Sequence, residues 1–302
     1  MQSKSANIYQ RYLRPDVVSR LGRLDLIARM VVEGFIIGLH RSPYHGFSVE
    51  FAEHRQYMPG DDIKHLDWKV YGKTERYYIK QFEEETNLKC HILLDTSASM
   101  GYTSGKITKL QYGIYLSAAL SYLMLNQQDA VGLVIFDQKI RQYFPPKAVN
   151  SYLKQLLIAL HNCKSSSKTN ISSAFHEMAD RIKRRGLIIV ISDLFDDRSA
   201  ILSGLKHFRH NNHEVIVFHI LDPEERRFDF HGEVIFEDME TGQQILTQPA
   251  HIRKEYRKKV AKFIKQFRKE CRENRIHYIL MDTTEPFDKA LFEYLVKRKK
   301  VG

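Results

Sequence analysis

From Lys89 onward the chain alternates short apolar runs with longer amphipathic stretches, a rhythm that points to strands and crossover helices around a mainly parallel sheet. Strands are expected over 89–95, 130–136, 187–192, 214–221 and 276–281, and Ile140 to Phe144 reads as an antiparallel edge strand against 130–136, with Asp137-Gln138 as the turn. Thr108 to Leu125 carries Leu110, Ile114, Leu116, Ala118, Leu120, Leu123 and Met124, apolar on enough faces for a largely buried helix. Apolar spacing predicts further helices over 149–162, 170–184, 200–210, 250–274 and 288–297. The fold class is α/β, a doubly wound, mainly parallel sheet. Segment 228–247 interrupts the rhythm and reads as an inserted hairpin, with Glu240-Thr241-Gly242 between Val234-Ile235-Phe236 and Gln244-Ile245-Leu246.

Residues 1–88 follow another pattern. Helical text from Val17 to Gly38 gives way to strand-like alternation at Gly46 to Phe51 and at Arg76 to Phe82, with Pro59-Gly60 between them suited to a type II turn. The expected organisation is an N-terminal accessory α+β segment, 1–88, packed on a sheet domain, 89–302.

Composition narrows the setting. No stretch approaches the roughly 18 uninterrupted apolar residues of a membrane span, and the polar start Gln2-Ser3-Lys4-Ser5 does not resemble a secretion signal. Cys90, Cys163 and Cys271 are scattered without paired spacing, which fits a reducing compartment, so a cytoplasmic location is expected. The formal charge of +11 is local: residues 251–275 hold eleven Lys/Arg against three Glu, and Lys297-Arg298-Lys299-Lys300 adds four more cations.

Strand 89–95 ends in Asp95-Thr96-Ser97-Ala98-Ser99, which places a carboxylate and two hydroxyls at alternate positions just past a strand tip. A hard divalent cation takes oxygen ligands converging from such a loop. Thr169, in a Ser- and Lys-rich loop before a helix, and Asp193, at the end of strand 187–192, supply two more oxygens. Ligands of open α/β sheets bind beyond the carboxyl strand ends where the winding reverses, so neighbouring strands 89–95 and 187–192 would bring Asp95, Ser97, Ser99, Thr169 and Asp193 together. Taken alone, the Asp-x-Ser-x-Ser spacing reads first as turn and cap residues. The buried strand, Thr169 and Asp193 together turn the reading toward a metal.

These five residues resemble the metal-ion-dependent adhesion site (MIDAS) of von Willebrand factor A domains. The upstream run His54 to Trp68, with Arg55, Pro59-Gly60-Asp61-Asp62 and Asp67-Trp68, is similar to the signature of a bacterial branch of that superfamily, domain-of-unknown-function family fifty-eight, with Gln56, Lys64 and Leu66 departing mildly from it. The resemblance covers roughly residues 45–285. It implies a von Willebrand A-like fold and a site where Ser97, Ser99 and Thr169 bind Mg²⁺ (or Mn²⁺ or Ca²⁺). The aspartates would act partly through water, and a partner's Glu or Asp would complete the shell. It also implies work beside a MoxR-type AAA+ ATPase, in chaperone-like assembly or maturation.

Other constellations are weaker. Arg55, Pro59, Gly60, Asp61, Asp62, Asp67 and Trp68 read as structural, because no nucleophile sits near the paired carboxylates. His207, His210 and His213 fall where a helix ends, and there imidazole complements the exposed carbonyls. No glycine-rich phosphate loop is present, so no nucleotide is expected to bind directly. Two rival functions stay open: a metal-dependent hydrolase or phosphatase centred on Asp95, and a basic nucleic-acid-binding protein using 251–275. The aromatics Tyr256, Phe263 and Phe267 share that helix's apolar stripe, which argues against a stacking platform and leaves an acidic protein or a membrane surface as partners for the basic face.

Overall fold

The computed structural model describes residues 14–19, 22–40, 54–56, 71–72, 78–80, 88–165, 171–237 and 242–301. Its centre is a six-stranded mixed sheet of β3 (Lys89–Asp95), β4 (Ala130–Phe136), β5 (Ile140–Lys147), β6 (Leu187–Ser192), β7 (Glu214–Leu221) and β10 (His277–Asp282), in the order β10-β7-β6-β3-β4-β5. Five strands are parallel and β5 runs antiparallel along the β4 edge. The chain winds outward from β3 through β4 to β5, then crosses back to β6 and continues to β7 and β10. The reversal of winding therefore lies between β3 and β6, whose residues pair from Cys90↔Leu187 to Leu94↔Ile191.

Strands this apolar need cover on both faces, and they have it. On one face Ile92 and Leu94 of β3 and Ile189 and Ile191 of β6 pack under four helices: α2 (Leu24–His40), α3 (Lys109–Asn126), α4 (Tyr152–His161) and α9 (Asp288–Val301). On the other, Leu93, Ile188, Val190, Val215 and Val217 pack under α5 (Ile171–Arg181), α6 (Arg198–His210) and the C-terminal half of α8 (Pro249–Glu273). Alternate residues of each strand thus enter opposite clusters, as the pleat requires. Each fully buried Leu or Ile contributes roughly 1.5–3 kcal/mol of transfer free energy.

Helix α2 belongs to the first 88 residues, yet Ile27, Ala28, Val31 and Val32 are buried in the core cluster that α3 lines. It begins at Leu24, where the sequence predicts helix from Val17, because the short helix α1 (Pro15–Val18) ends before Gly22, whose φ of 67° no helix accommodates. Two three-residue strands, β1 (His54–Gln56) and β2 (Tyr78–Lys80), pair antiparallel. The expected strand at 46–51 and the Pro59-Gly60 turn lie outside the described residues. The inserted hairpin is present as β8 (Val234–Glu237) and β9 (Gln244–Thr247).

Helix α8 departs from the continuous stripe its sequence suggests. Phe267 and Cys271 are buried, but Ile252 is 40% exposed and Tyr256 stacks on Phe228 outside the sheet core. The helix leaves the sheet along its N-terminal half, where the hairpin lies.

A close approach joins α5 to α6. A Cβ at Gly204 would sit 2.6 Å from the Phe175 Cβ, so the two helices meet where a side chain is missing. Gly204→Ala should destabilise the chain by about 1–3 kcal/mol through overpacking, although alanine is the better helix former by about 1 kcal/mol. Urea denaturation distinguishes the two, and a stabilised variant would show that the helices do not meet at this distance.

Candidate functional site

The site lies where the winding reverses, at the carboxyl ends of β3 and β6. Asp95 closes β3 and is fully buried. Its Oδ1 accepts from the Ser97 backbone N–H at 2.8 Å, which folds the following loop back over the strand tip, and its Oδ2 accepts from the Ser192 hydroxyl at 2.5 Å. That second bond joins the two strand ends across the reversal. Thr96 anchors the loop on its other side, its N–H and hydroxyl both donating to the Phe136 carbonyl at the end of β4. A 3₁₀ turn, Ala98–Gly101, follows and carries Ser99 back toward Ser97.

The hydroxyl oxygens of Ser97 and Ser99 stand 3.1 Å apart. Two adjacent ligands of an octahedral Mg²⁺, each about 2.1 Å from the ion, are separated by about 3.0 Å, so this spacing suits such an ion. Asp95 adds the charge a cation needs. Its pKa is pushed up to about 7, first by burial and then by the neighbouring Asp193 carboxylate, against the hydrogen bonds from Ser192 and Ser97. Among the described residues no Lys, Arg or His forms an ion pair with Asp95. A buried carboxylate without a counter-cation either holds a proton or recruits a cation.

Asp193 is differently placed. Its Oδ2 lies 2.7 Å from the Lys109 ammonium, and its Oδ1 accepts from the Phe195 N–H at 3.2 Å. Lys109 is fully buried in the first turn of α3 and also contacts Glu225 Oε1 at 2.5 Å, in the short helix α7 (Pro223–Arg227). Burial pulls the lysine pKa down, but Asp193 and Glu225 more than offset it, and the value lies above the ordinary lysine range. The Phe195 ring sits 4.7 Å from the ammonium and shields it from one side. Glu225 Oε2 in turn accepts from the Asp222 N–H at 2.8 Å, and Asp222 accepts from Ser104. The loop after β3 and the loop after β7 are thereby joined through charged groups.

The structure thus brings Asp95, Ser97, Ser99 and Asp193 to one end of the sheet and pairs Asp193 with a lysine. Thr169 lies outside the described residues; Ile171, two positions on, donates its N–H to Asp196 Oδ2 at 2.7 Å, just beyond the β6 tip. Of the upstream signature, Arg55 lies in β1 opposite Ile79, whereas Pro59, Gly60, Asp61, Asp62, Asp67 and Trp68 are outside the described residues. Asp197 caps α6, accepting from the Ala200 N–H. The three histidines do not converge: His213 is buried against the Ile182 carbonyl and His207 meets His176. Among the described residues no group of three or more His, Cys, Asp or Glu side chains is arranged to hold a metal, so a cation here would depend on hydroxyls.

Sequence reasoning missed Lys109, Glu225 and Ser192. One signal was available. A lysine in the first turn of a helix opposes the helix dipole, and here that turn carries no acid of its own, so the cation needed a partner from elsewhere.

A mainly parallel, doubly wound sheet with a hydroxyl-rich loop at its switch point places the chain in the α/β class. The chain belongs to the protein family of unknown function DUF58, which matches residues 53–266. An uncharacterized protein of Mycobacterium tuberculosis is 23% identical over 233 residues, spanning 76% of this chain and 72% of that protein. Among solved structures, an aerotolerance-related membrane protein from Bacteroides fragilis aligns with a TM-score of 0.50 at 19% identity, over 70% of this chain and 99% of that one. The conserved hypothetical protein BatB from Bacteroides thetaiotaomicron gives 0.49 at 17%, over 70% and 99%, and the SpRpn10 VWA domain gives 0.40 at 13%, over 69% and 95%. At 19% identity, the likeness to the Bacteroides fragilis protein is one of fold.

Removing Lys109 would leave the buried Asp193 and the largely buried Glu225 without their cation. Lys109→Met should cost about 3–5 kcal/mol, and adding Asp193→Asn and Glu225→Gln should restore most of that loss. Equal stability of the single variant and wild type in denaturant titrations would show that the triad does not form.

Proposed function

We propose that this protein is a non-catalytic interaction module that holds a divalent cation, Mg²⁺ by preference, and uses it to capture a carboxylate of a protein partner. The observation that carries this reading is Asp95: a fully buried acid with no counter-cation among the described residues, beside two hydroxyls at the spacing of adjacent octahedral ligands. Ser97 and Ser99 are the direct ligands, Asp95 supplies charge directly or through water, and Thr169 is the further hydroxyl suggested by the family resemblance. Asp193 acts by holding Lys109 in place. Neutral hydroxyl ligands leave the ion short of negative charge, and Mg²⁺ keeps exchangeable waters that an incoming Glu or Asp displaces. Mn²⁺ and Ca²⁺ are the alternative ions.

The surroundings favour an acidic partner. A cavity of about 550 Å³ opens beside Thr96, lined by Asp137, Arg141, Cys163 and Lys164 among others, with the Arg141 side chain 48% exposed even while paired to Asp137. An acidic segment whose carboxylate meets the ion would find further cations there. A MoxR-type AAA+ ATPase is the partner the family resemblance suggests, in a cytoplasmic assembly or maturation step. No helix among the described residues is long and apolar enough to cross a membrane. A hydrolase centred on Asp95 has less support, since Asp193, the acid nearest along the β6 tip, is occupied by Lys109.

Affinity capture from a cell extract tests the proposal. Wild type with Mg²⁺ should retain a specific set of proteins that is lost on adding chelator and lost in Ser97→Ala/Ser99→Ala. Retention unaffected by either change, or phosphoester turnover abolished by Asp95→Ala, would overturn it.

A further inference from the structure

The two ends of the sheet differ in how their charged side chains are paired. The carboxyl end holds Asp95, Asp193, Asp196, Asp197, Asp222 and Glu225, on or just beyond the strand tips. At the amino end, among the described residues, exposed cations predominate. The register sets Lys89 before the body of β3, Lys183, Arg184 and Arg185 immediately before β6, Arg272 and Arg275 just before β10, and Lys147 at the terminus of antiparallel β5. Adjacent strands lie about 4.8 Å apart, so this row extends over roughly 24 Å from β10 to β5.

Pairing at this end is asymmetric. Among the described residues the carboxylates at this end are taken: Asp129 by Arg298, Glu214 by Arg209 and Lys297, Glu273 by Lys269, and Glu293 by His277. Lys183, Arg184, Arg185, Arg272 and Arg275 are exposed and have no carboxylate partner among the described residues. Like charges crowded in this way repel one another, and an external anion relieves that repulsion.

Two grooves open along the row. One, of about 390 Å³, lies among Arg268, Arg272, Arg275, His277, Tyr278 and Lys297. The other, of about 300 Å³, lies among Lys89, His91, Tyr143, Arg181, Lys183 and Arg184. Each contains a tyrosine already faced by a guanidinium, Tyr278 by Arg268 at 5.8 Å and Tyr143 by Arg181 at 4.3 Å. Neither ring is free to stack on a base, which disfavours single-stranded nucleic acid.

We infer that the amino end of the sheet is a docking face for an anionic phospholipid surface, with headgroup phosphates entering the two grooves. An extended planar array of phosphates meets cations spread across the whole end of the sheet, whereas a single small anion would engage one groove only. The basic tail, Lys297 to Lys300, belongs to α9, which runs back toward the same end, so its Lys297 extends the face. With this end on a membrane the carboxyl end points away from it, open to a partner. The inference does not depend on metal binding.

Vesicle co-sedimentation of the full chain tests it. The protein should pellet with phosphatidylcholine vesicles containing about 30% phosphatidylglycerol but not with pure phosphatidylcholine, and high salt should release it. Arg184→Glu/Arg272→Glu/Arg275→Glu should weaken association more than about tenfold at unchanged melting temperature. Lys254→Glu/Lys258→Glu/Lys262→Glu, an equal charge change on the exposed N-terminal half of α8, should weaken it far less. Failure to pellet with anionic vesicles, equal loss in both triple variants, or displacement from vesicles by duplex DNA at equal phosphate concentration would each overturn the inference, the last in favour of a nucleic-acid face.

Discussion

Lys109 reaches from the first turn of α3 to the carboxylates of Asp193 and Glu225, and this contact determines how charge is divided at the carboxyl end of the sheet. Two aspartates end neighbouring strands there. One is neutralised by an ammonium that the fold itself supplies; the other, Asp95, is left with hydroxyl and N–H donors only. Burying an ammonium in this way is costly unless its partners are well placed, and both lie within 2.7 Å. The triad also ties α3 to α7 and, through Asp222 and Ser104, to the loop that follows the two serines. A shift of the β7–α7 connection would therefore be felt at the candidate cation loop.

On the proposed reading, this division of charge is what suits the loop to binding. A pair of free carboxylates would offer acid/base chemistry; a single unpaired carboxylate beside hydroxyls offers a seat for a hard cation with open coordination positions. At the other end of the sheet, among the described residues, the acids are held in ion pairs while Arg184, Arg185, Arg272 and Arg275 have no carboxylate partner. Between the two ends lie β4 and β6, buried along their whole length, and β7, buried after Glu214.

Much of the fold was legible in the sequence because strands covered on both faces are apolar at every position. The spans of β3, β4, β6 and β7 follow from unbroken apolar runs such as Ile188-Ile189-Val190-Ile191, and β10 differs from its expected span by one residue at each end. Prediction was poorer where periodicity says nothing about tertiary distance. The apolar stripe of α8 continues past the point where the helix leaves the sheet, so Ile252 reads as core and is exposed. That Asp95, Ser97 and Ser99 come together was legible because they share one loop. The pairing of Asp193 with Lys109 was not, because the two lie 84 residues apart and a charged side chain in a helix reads as a solvated one.

Manganese titration followed by electron paramagnetic resonance tests the central claim most directly. One Mn²⁺ should bind per chain, with affinity that rises with pH toward and past 7, because below that the proton held by Asp95 competes with the ion. Ser97→Ala/Ser99→Ala should abolish binding, while Asp193→Asn, which leaves Lys109 its bond to Glu225, should retain it. Absence of binding in the wild type, or binding that survives loss of both serines, would contradict the account.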